Sequence, residues 1–573
     1  MCGIVGYTGN RNAIDVVFEG LKTLEYRGYD SAGIAAAGSE LYVTKTLGRV
    51  ANLKPKLPAF PIHTVIGHTR WATHGKPSEQ NAHPHVSFDG KVAIVHNGII
   101  ENYAELKTSL SKQGIRFASD TDSEIIAHML ALRAGDDFLQ AVIDVSRALK
   151  GSATFLAIRK GDDKIYCSKC GASLHVGHKA GESFATSDTL AVCDRLDEVI
   201  PLEDGDVAVL SVGGIQVFNG GKAVNRKAYR TSRNLPKHSK LYMRSEIDEI
   251  PRAVQNTLQA FSPHSHSLSF EKIKDAEKLY FVGCGTAFHA CLFAKRIFSR
   301  LLKKSCEAIE ASELDEALIS NRDVAVFVTQ SGETADTVLA AKRSKQAGAY
   351  TVAVCNVPNS LISFVADDTL YTRAGAEVAV AATKSYVCQL VLIYQLAKSI
   401  IGSPLSEKET DNLVESLSLA TDLAAVTENA ENKNLFFIGK GLDFVTAKEA
   451  ALKVKEITYK MTDAYSAGEL KHGPIALIDD SSLVFLIATN KADKSRIEAT
   501  TSELRSRGAT VVALSSVGEF GADKTLQLPA LNDNNLYPAL AIIPLQTLAL
   551  ELSLRLGLNP DKPRNLAKSV TVI

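Results

Sequence analysis

Two patterns of hydrophobic and polar positions divide the chain. Up to about residue 225, short apolar runs at 64–67, 92–95 and 155–158 are bounded by Gly, Pro, Asp or Asn, which predicts β-strands. Two longer segments in this part, 124–133 and 139–149, are predicted to be helices. The first part of the chain is therefore expected to be rich in strands with a few inserted helices.

After a basic, aperiodic segment, the pattern changes to apolar strand, glycine and helix in alternation, which is typical of parallel sheets covered by helices. This pattern also repeats. Residues 279–285 match 435–441, and residues 348–354 match 508–514, in the same order and at nearly the same spacing. The sequence therefore predicts a duplicated α/β lobe.

Composition narrows the class of protein. A length of 573 residues favours three to four domains, and 64 Lys+Arg balance 64 Asp+Glu, which argues against a polyanion binder. We find no apolar run of membrane-spanning length and no secretory signal pattern. Nine cysteines are too sparse for a disulfide scaffold, so reduced thiols in a cytoplasmic enzyme are expected.

Residues 2–6 place a cysteine where removal of Met1 would expose it. Cys2 would then carry both its thiol and a free α-amine. The thiolate is the nucleophilic form, and an α-amine with a pKa of about 8 is suited to accept the thiol proton. Cys2 could therefore act as nucleophile and base, and the alternative is an ordinary buried cysteine near the first strand.

Other polar residues supply what a thiolate needs to hydrolyse a carboxamide. The Asn97 side-chain amide and the Gly98 backbone N–H are donors suited to an oxyanion hole. Arg70 can hold the carboxylate of an amino-acid substrate, and Asp122 can hold its ammonium group. The alternatives are a hairpin turn at Asn97-Gly98 and a helix N-cap at Asp122, and a cap is compatible with binding.

Two clusters have metal-ligand residue types, but neither predicts a metal site. Cys167, Cys170, His175 and His178 are spaced more tightly than the ligands of a zinc finger and lie in strand-like sequence. The histidines of a second cluster lack carboxylate support, so structural and substrate-positioning roles are expected for them. These are His63, His68, His74, His83, His85 and His96.

In the second half, a predicted buried strand at 324–328 leads into the loop 329–334, which is rich in hydroxyl groups and contains a glycine. A helix is predicted from 335 to 346. A turn of this kind before a helix N-terminus can bind a phosphate group, and without a loop lysine a phosphorylated metabolite fits better than a nucleoside triphosphate. The matching segment 488–493 lacks the pattern. The alternative is a capped helix without a ligand.

Three charged or titratable residues of this half are candidates for proton transfer and covalent chemistry. A predicted amphipathic helix at 446–461 carries Lys453 and Glu456, which form either a surface ion pair or a cleft carboxylate that moves protons on a sugar. His472 lies in a loop limited by Gly and Pro. Lys568 lies in a polar tail and could form a Schiff base if desolvation lowers its pKa.

Residues 2–225 resemble the class-II glutamine amidotransferase domain of the N-terminal-nucleophile type. The resemblance rests on residues 2–6, 24–33, 68–75, Asn97-Gly98 and Asp122. It implies an αββα sandwich that hydrolyses glutamine, with Cys2 as nucleophile and base and with Asn97 and Gly98 as the oxyanion hole. The glutamine contacts that it implies are Arg70, Trp71, Thr73, His74 and Asp122, and Trp71 is also expected to gate ammonia passage.

Residues 245–573 resemble tandem sugar isomerase (SIS) domains, through motifs at 284–286, 329–334, 453–456, 471–474 and 564–572. With the first domain, the whole chain resembles the glutamine–fructose-6-phosphate aminotransferases (glucosamine-6-phosphate synthases). This resemblance implies that His472 opens the sugar ring from a partner subunit, that Lys568 forms a Schiff base, and that Glu456 moves the isomerising proton. The implied sugar-phosphate contacts are Thr286, Thr329, Gln330, Ser331, Thr334, Val380, Lys453 and Ala567.

The chain departs from the family pattern at three positions. Ala287 and Ala382 stand where serine is common, which removes two hydroxyl groups, while Thr329 replaces a serine and keeps its hydroxyl. The departures affect the expected phosphate contacts and leave the proton-transfer residues in place.

The expected fold class is α/β, with an αββα glutaminase sandwich followed by two duplicated SIS lobes with parallel sheets. The expected domains are 2–225 (glutaminase), 226–244 (linker), 245–405 (first SIS domain), 406–560 (second SIS domain) and 561–573 (active-site tail). The expected protein is a cytoplasmic homodimer that acts on L-glutamine and fructose 6-phosphate, without a cofactor, metal, nucleic acid or membrane partner.

The expected reaction releases ammonia from glutamine and channels it to a ketose Schiff base, as the first step of hexosamine synthesis. One alternative is the same machinery acting on another phospho-sugar, or running as a deaminating isomerase. Another is a sugar-phosphate sensor without chemistry, which the presence of Cys2, Glu456, His472 and Lys568 argues against. Phosphoribosyl amidotransferase shares the first domain, but its acidic loop for a pyrophosphorylated sugar is absent here.

Overall fold

The computed structural model describes residues 2–57, 62–71, 76–135, 137–231, 239–315, 318–419 and 430–571. The chain forms two compact units. Unit 1 comprises Met1–Leu235, Glu333–Ala335 and Ala567–Ile573, and unit 2 comprises Pro236–Gly332 and Asp336–Leu566.

The described part of unit 1 contains two antiparallel sheets. Its strands are β1 (Gly3–Thr8), β2 (Ser31–Ala37), β3 (Leu41–Leu47), β4 (Thr64–Arg70), β5 (His85–Val86), β6 (Val92–Ile100), β7 (Gly151–Arg159), β8 (Ile165–Ser168), β9 (His175–Lys179), β10 (Glu182–Thr186), β11 (Glu198–Pro201), β12 (Asp206–Ser211), β13 (Gly214–Asn219), β14 (Lys222–Val224) and β15 (Tyr229–Arg230). The first sheet has the order β15-β11-β9-β10-β1-β4-β2-β3, and the second has the order β14-β13-β12-β8-β7-β6-β5.

Helices cover the outer faces of both sheets. They are α1 (Ala13–Thr23), α2 (Tyr103–Lys112), α3 (Glu124–Arg133) and α4 (Phe138–Ala148). One apolar core lies between the sheets and includes Ile66 and Leu156. A second core packs α1 on the first sheet, and a third packs α2, α3 and α4 on the second sheet. The order of layers is therefore αββα, which confirms the expected sandwich.

Unit 2 alternates strands and helices. Its helices, with α9 starting at the boundary residue Ala335, are α5 (Tyr242–Asp248), α6 (Ile250–Ala260), α7 (Ser267–Asp275), α8 (Thr286–Leu301), α9 (Ala335–Gln346), α10 (Leu361–Val365), α11 (Lys384–Ile400), α12 (Glu407–Ser418), α13 (Leu442–Thr458), α14 (Lys494–Arg505) and α15 (Tyr537–Arg555). Its strands are β16 (Lys278–Gly283), β17 (Ser305–Glu310), β18 (Val324–Thr329), β19 (Tyr350–Cys355), β20 (Asp368–Tyr371), β21 (Asn434–Gly439), β22 (Thr462–Ser466), β23 (Ser482–Ala488), β24 (Thr510–Ser515) and β25 (Lys524–Gln527).

The two parallel sheets of unit 2 have the same topology. Their strand orders are β17-β16-β18-β19-β20 and β22-β21-β23-β24-β25. The matched sequence segments form β16 and β21 in one case and β19 and β24 in the other. The predicted duplication is confirmed, because equivalent strands hold equivalent places in the two sheets.

Helices α8, α11, α13 and α15 lie in one large core that joins the two lobes of unit 2. Residues 534–555, which contain α15, are long and apolar enough to cross a membrane, contrary to the expectation from sequence. However, 89% of the most apolar window is buried. Such burial is typical of the core helix of a soluble protein, in which apolar side chains on all faces are covered by neighbours.

Helix α13 ends earlier than predicted. It was expected to span 446–461, but it begins at Leu442 and ends at Thr458. Tyr459, at the C-terminal end, has a φ of +61°, and this left-handed conformation stops the helix. The helix also buries residues on most of its surface, so it is a core helix rather than one with a solvent-facing polar side.

Candidate functional site

Cys2 lies immediately before β1, at the edge where β1 pairs with β4. The pairing places Gly3 opposite Thr69, and the Gly3 N–H donates to Thr69 Oγ1 at 3.1 Å. The N–H of Trp71 then donates to Cys2 Sγ at 3.2 Å. The Cys2 thiol can in turn donate to the Trp71 carbonyl oxygen at 3.6 Å, so the backbone of Trp71 fixes the half-buried thiol at the strand ends.

Asn97 and Gly98 lie on β6 of the second sheet, close to Cys2. The Asn97 Nδ2 donates to the Cys2 carbonyl oxygen at 3.2 Å. Gly98 has a φ of +138°, and a Cβ at this position would lie 1.9 Å from the Ser152 carbonyl oxygen. Only glycine fits here, and its backbone conformation is set where an oxyanion donor is needed.

Arg70 and Asp122 are two residues of opposite charge near Cys2. Burial lowers the pKa of Arg70, while the charges of Cys2, Asp30 and Asp122 act in the opposite direction. One carboxylate oxygen of Asp122 accepts the Ile100 N–H at 2.8 Å, which fixes the side chain. A buried guanidinium and a fixed carboxylate near the thiol can hold the two charged ends of an amino acid.

The remaining predicted glutamine contacts are only partly described. Trp71 follows β4, and its ring packs edge-to-face on Tyr29 with centroids 5.6 Å apart. Thr73 and His74 lie outside the described residues. Their proposed contacts with glutamine stay predictions.

The cysteines that resemble zinc ligands lie on or beside strands. Cys167 is buried in β8, and burial raises the pKa of its thiol, which opposes the thiolate form that a metal would need. His175 begins β9. Within the described ranges, no group of three or more His, Cys, Asp or Glu residues is placed to hold a metal ion.

The predicted phosphate loop follows β18 in unit 2. Thr329, the last residue of the strand, is buried, and its Oγ1 accepts the Gly332 N–H at 3.1 Å. Gly332 has a φ of +70°, and a Cβ there would lie 2.0 Å from Ser360 Oγ. The loop is therefore a tight turn that brings Gln330 and Ser331 in front of the next helix.

The C-terminal tail is tied to the start of α9. The N–H of Ala335 donates to the Val570 carbonyl oxygen at 2.9 Å. Ala567 and Lys568 lie a few residues earlier in the tail, and residues 333–335, which include Thr334, belong to the same compact unit as the tail. The base of the tail is held separately in unit 2, where Asp561 accepts the Tyr242 and Met243 N–H groups at 2.8 and 2.7 Å.

Lys453 and Glu456 belong to a buried cluster rather than to a surface ion pair. Lys453 Nζ lies 2.6 Å from Glu456 Oε2 and 3.3 Å from Glu449 Oε1, and its side chain is fully buried. It also donates to Thr286 Oγ1 at 2.9 Å, and Thr286 Oγ1 donates to Glu449 at 3.0 Å. His289 Nδ1 completes the cluster, 2.6 Å from Glu449 Oε2.

Opposite charges favour the ionised forms of Lys453 and Glu449 in this cluster. Burial favours the neutral form of Lys453, but the charges of Glu449 and Glu456 outweigh it and raise the pKa of Lys453. Burial likewise favours neutral Glu449, but Lys453, His289 and Thr286 together lower the pKa of Glu449. Glu456, whose side chain is about one-fifth exposed, and the partly exposed Thr286 are members of the cluster that solvent or a substrate can reach.

Sequence reasoning missed Glu449 and His289. Glu449, Lys453 and Glu456 recur at i, i+4 and i+7, which places them on one helix face, and this spacing could have identified Glu449. His289 has no such signal. Its partner lies on a helix far along the chain, and only the packing of α8 on α13 brings them together.

The other predicted sugar residues lie on separate elements. Val380 donates its N–H to the Asp561 carbonyl oxygen at 3.1 Å. His472 ends a 3-10 helix, Leu470–His472, and is exposed. An exposed histidine can serve a reaction only if a substrate or another chain approaches it.

In the second lobe, a side chain of the protein itself binds the loop that is equivalent to 329–334. Thr489 follows β23 as Thr329 ends β18, and Asp443 lies in the first turn of α13, where Ala287 lies in the first turn of α8. Asp443 accepts the Thr489 N–H at 2.9 Å and the Thr489 hydroxyl at 2.5 Å. A side-chain carboxyl group thus occupies the loop donors of the second lobe, whereas Ala287 at the equivalent position of the first lobe carries no carboxyl group.

Family models match both parts of the chain. The glutamine amidotransferase domain model matches residues 68–191, and the SIS domain model matches residues 272–399 and 430–555. Both matched SIS regions contain one of the parallel sheets described above.

Curated relatives match over their full length. The chain is 41% identical to the glutamine–fructose-6-phosphate aminotransferase (isomerizing) of Thermococcus kodakarensis and 38% identical to that of Aquifex aeolicus, with 100% of each chain covered. Among solved structures, the C-terminal domain of glucosamine-fructose-6-phosphate aminotransferase from Francisella tularensis is 30% identical. It covers 56% of this chain and 99% of its own, with a TM-score of 0.53.

Proposed function

The chain belongs to the family of glutamine–fructose-6-phosphate aminotransferases, and from this we propose that it transfers the amide nitrogen of L-glutamine to fructose 6-phosphate. The products are glucosamine 6-phosphate and glutamate. The carrying observation is that one chain presents a thiol beside an amide donor, at Cys2 and Asn97, and a buried lysine–carboxylate cluster in its SIS lobes.

The first half-reaction uses unit 1. The Cys2 thiolate attacks the carboxamide carbon of glutamine, and Asn97 Nδ2 and the Gly98 N–H donate hydrogen bonds to the carbonyl oxygen as it gains negative charge. Arg70 and Asp122 hold the α-carboxylate and α-ammonium groups. Ammonia leaves, and water cleaves the thioester to release glutamate. After removal of Met1, the α-amine of Cys2 serves as the base.

The second half-reaction uses the SIS residues and the tail. The loop Thr329–Thr334 binds the phosphate group, His472 opens the sugar ring, and the Lys568 amine condenses with the C2 carbonyl with loss of water. Ammonia replaces the lysine at C2, and Glu456 transfers a proton between C1 and C2 to give the aldose. Lys453, whose Nζ lies 2.6 Å from Glu456 Oε2, orients this carboxylate for the transfer between the two carbons.

Passing ammonia directly between the two centres protects the nucleophile. Ammonia in neutral water is mostly protonated and loses its nucleophilic lone pair, so a path that excludes water preserves it. Trp71 is proposed to gate this path, and glutamine hydrolysis is expected to be slow until the sugar phosphate is bound.

We further propose a cytoplasmic homodimer in which His472 acts on the sugar of the partner subunit. The exposure of His472 supports this assignment, because nothing in its own chain covers it in the described ranges. The domain boundaries proposed from sequence, at residues 225, 244, 405 and 560, also stay part of this proposal, as do Ala567 and Val380 as lining residues of the sugar site.

A substitution that separates the two centres tests the assignment. Cys2→Ala should abolish glutamine-dependent synthesis while fructose 6-phosphate is still isomerised to glucose 6-phosphate. Borohydride reduction in the presence of fructose 6-phosphate should attach the sugar to Lys568, as mass spectrometry would show. Glutaminase activity in Cys2→Ala, or a label on another lysine, would refute the corresponding role.

The assay of glutamine-dependent synthesis, run with different sugar phosphates, distinguishes the related activities. If another phospho-sugar is the acceptor, fructose 6-phosphate will give no amino sugar with glutamine while the alternative ketose will. If the chain is a deaminating isomerase, glucosamine 6-phosphate will be consumed without glutamate.

A further inference from the structure

We propose that His68 is a positioning residue of the glutaminase centre. Its ring holds the Asn97 side-chain amide so that the amide nitrogen faces Cys2. The inference deepens the proposed function and rests on it, since it concerns the oxyanion hole of that reaction. His68 is outside the set of residues assigned to glutamine above, and its contact is to Asn97 rather than to a substrate.

His68 lies in the middle of β4, between the strands β1 and β2 of the first sheet. Its side chain is fully buried and reaches β6 of the second sheet. There Nε2 lies 3.1 Å from the His96 carbonyl oxygen and 3.2 Å from Asn97 Oδ1. One ring nitrogen is therefore shared between a backbone oxygen and the amide of the proposed oxyanion hole.

The backbone carbonyl fixes which proton state this nitrogen has. A carbonyl oxygen can only accept, so His68 Nε2 must carry the hydrogen. The Asn97 atom that faces the same N–H must then be its oxygen. The amide nitrogen is thereby turned the other way, where it donates to the Cys2 carbonyl oxygen at 3.2 Å and keeps a second hydrogen for an oxyanion.

The surroundings keep the ring in this single state. Burial, as the largest cause, lowers the pKa of His68 to about 3, and it outweighs the hydrogen bonds to the His96 carbonyl oxygen and to Asn97, which act in the opposite direction. The ring stacks on His83 with centroids 4.1 Å apart. Its Nδ1 has no hydrogen-bond partner in the described part of the chain. A neutral, stacked ring with one bare nitrogen has no alternative way to face Asn97.

The role matters because the two ends of a carboxamide have nearly the same shape. Without a donor behind it, the Asn97 side chain can rotate and present its oxygen to the developing oxyanion. The Asn97 oxygen would then repel the oxyanion in the transition state, where the Asn97 nitrogen would have attracted it. The proposed glutamine contacts at Arg70 and Asp122 would be unchanged. The expected signature is a loss in kcat with little change in KM.

Two variants of similar length separate hydrogen bonding from packing. In His68→Gln, the Nε2 amide reaches the place of the ring Nε2 and can still donate to Asn97, whereas His68→Met fills similar space without a donor. In the full-length protein, we expect H68M to lower the glutaminase kcat by about 10²-fold or more and H68Q to keep it within about tenfold of wild type. The KM for glutamine should be unchanged in both.

A transition-state analogue reads the oxyanion hole directly. The γ-aldehyde analogue of glutamine adds the Cys2 thiol to its carbonyl and places an oxygen in the hole. Its affinity should fall in H68M in parallel with kcat, while the affinity for glutamate should not change.

A double-mutant cycle completes the test. If His68 acts through Asn97, then His68→Met should have no further effect in an Asn97→Ala background. Additive losses, equal kcat values in H68Q and H68M, or a change in KM alone would overturn the proposal. Should H68M fail to fold, His68→Asn replaces it, because its shorter amide does not reach Asn97. Absence of Cys2-dependent glutaminase in the wild type would instead refute the proposed function.

Discussion

The proposed oxyanion hole depends on the backbone conformation of one residue, Gly98. Gly98 combines a φ of +138° with a β7 carbonyl oxygen, that of Ser152, only 1.9 Å from where a Cβ would lie. Any side chain would force β6 away from β7, and the backbone N–H would move with it. The donor geometry near Cys2 therefore depends on the absence of one carbon atom.

Gly98→Ala is expected to lower glutaminase activity by about 10²-fold or more, which is the usual cost of losing one oxyanion donor. Isomerisation of fructose 6-phosphate without glutamine should be retained, as measured by glucose 6-phosphate formation. Gly90→Ala is the matched control, because Gly90 also has a positive φ, of +70°, but nothing within 4 Å of an added Cβ. Similar glutaminase losses in both variants would contradict the assignment of Gly98.

Glu449→Gln is expected to impair the isomerase centre and the stability of unit 2 together. It removes one of the two carboxylates that pair with a fully buried Lys453, which costs about 3 kcal/mol or more in typical buried pairs. Lys453 would then be held by Glu456 without Glu449, which would shift the Glu456 carboxylate from the position proposed for proton transfer. Isomerase kcat should fall while glutaminase activity is unchanged.

The control for this variant is Glu498→Gln, which removes an exposed partner of Lys494 at the same i, i+4 spacing. Exposed pairs of this kind contribute about 0.5 kcal/mol, so neither activity nor melting temperature should change measurably. Wild-type isomerase activity in Glu449→Gln would show that the cluster is structural.

At this scale, the sequence identified Cys2, Asn97-Gly98 and Arg70 as candidate glutaminase residues because each carries recognisable chemistry, and their roles stay predictions. It left the environment of Lys453 and Glu456 open between a surface pair and a cleft. Burial decides that question, and burial depends on how α13 packs in the core. The contacts of His68 and His289 were equally unpredictable, since each is made across elements distant in sequence.

The strand–loop–helix element proposed to bind phosphate in the first SIS lobe differs from its equivalent in the second lobe. In the second lobe, the Asp443 side chain binds both the N–H and the hydroxyl of Thr489. In the first lobe, the equivalent position is Ala287, which has no polar atoms to compete with a phosphate group. The loss of a hydroxyl at Ala287 therefore also keeps the site open.

Ala287→Asp should give the first lobe the carboxyl group that Asp443 supplies in the second lobe. The new carboxylate would occupy the loop donors and repel the phosphate dianion, so the KM for fructose 6-phosphate should rise by about tenfold or more. Glutaminase activity in unit 1 should not change. Ala287→Asn provides the control, since it adds similar volume without charge, and equal effects of the two variants would contradict the electrostatic argument.

At the scale of elements, the sequence predicted the duplicated lobes because β16 and β21 share an apolar run that ends in glycine. It misplaced the end of α13 by three residues, since no residue type at Tyr459 signals a left-handed conformation. It also missed that residues 534–555 are apolar enough to span a membrane, because their few polar residues interrupt the run.

On the scale of the whole molecule, the proposed dimer predicts that two inactive variants regain activity when their subunits are mixed. Lys568→Ala and His472→Ala should each lack synthesis alone. In mixed dimers, one of the two sites receives an intact Lys568 from one subunit and an intact His472 from the other. After unfolding and refolding of an equimolar mixture, activity should recover to about one quarter of wild type. No recovery, despite dimers in sedimentation analysis, would place His472 in the site of its own chain.

The overall organisation was predictable where local pattern determines it. Strand-rich sequence before residue 225 forms the αββα sandwich, and the alternating sequence after it forms two parallel sheets. The assignment of residues 333–335 and the tail 567–573 to unit 1 was not predictable, because it depends on contacts such as that between Ala335 and Val570.

The most direct test of the account follows the nitrogen atom. The protein is supplied with fructose 6-phosphate, glutamine labelled with ¹⁵N in its amide, and excess unlabelled ammonium, and the products are examined by mass spectrometry. The account predicts ¹⁵N-labelled glucosamine 6-phosphate, formed in equal amount with glutamate and undiluted by the ammonium. Unlabelled glucosamine 6-phosphate, or glutamate without any amino sugar, would contradict it.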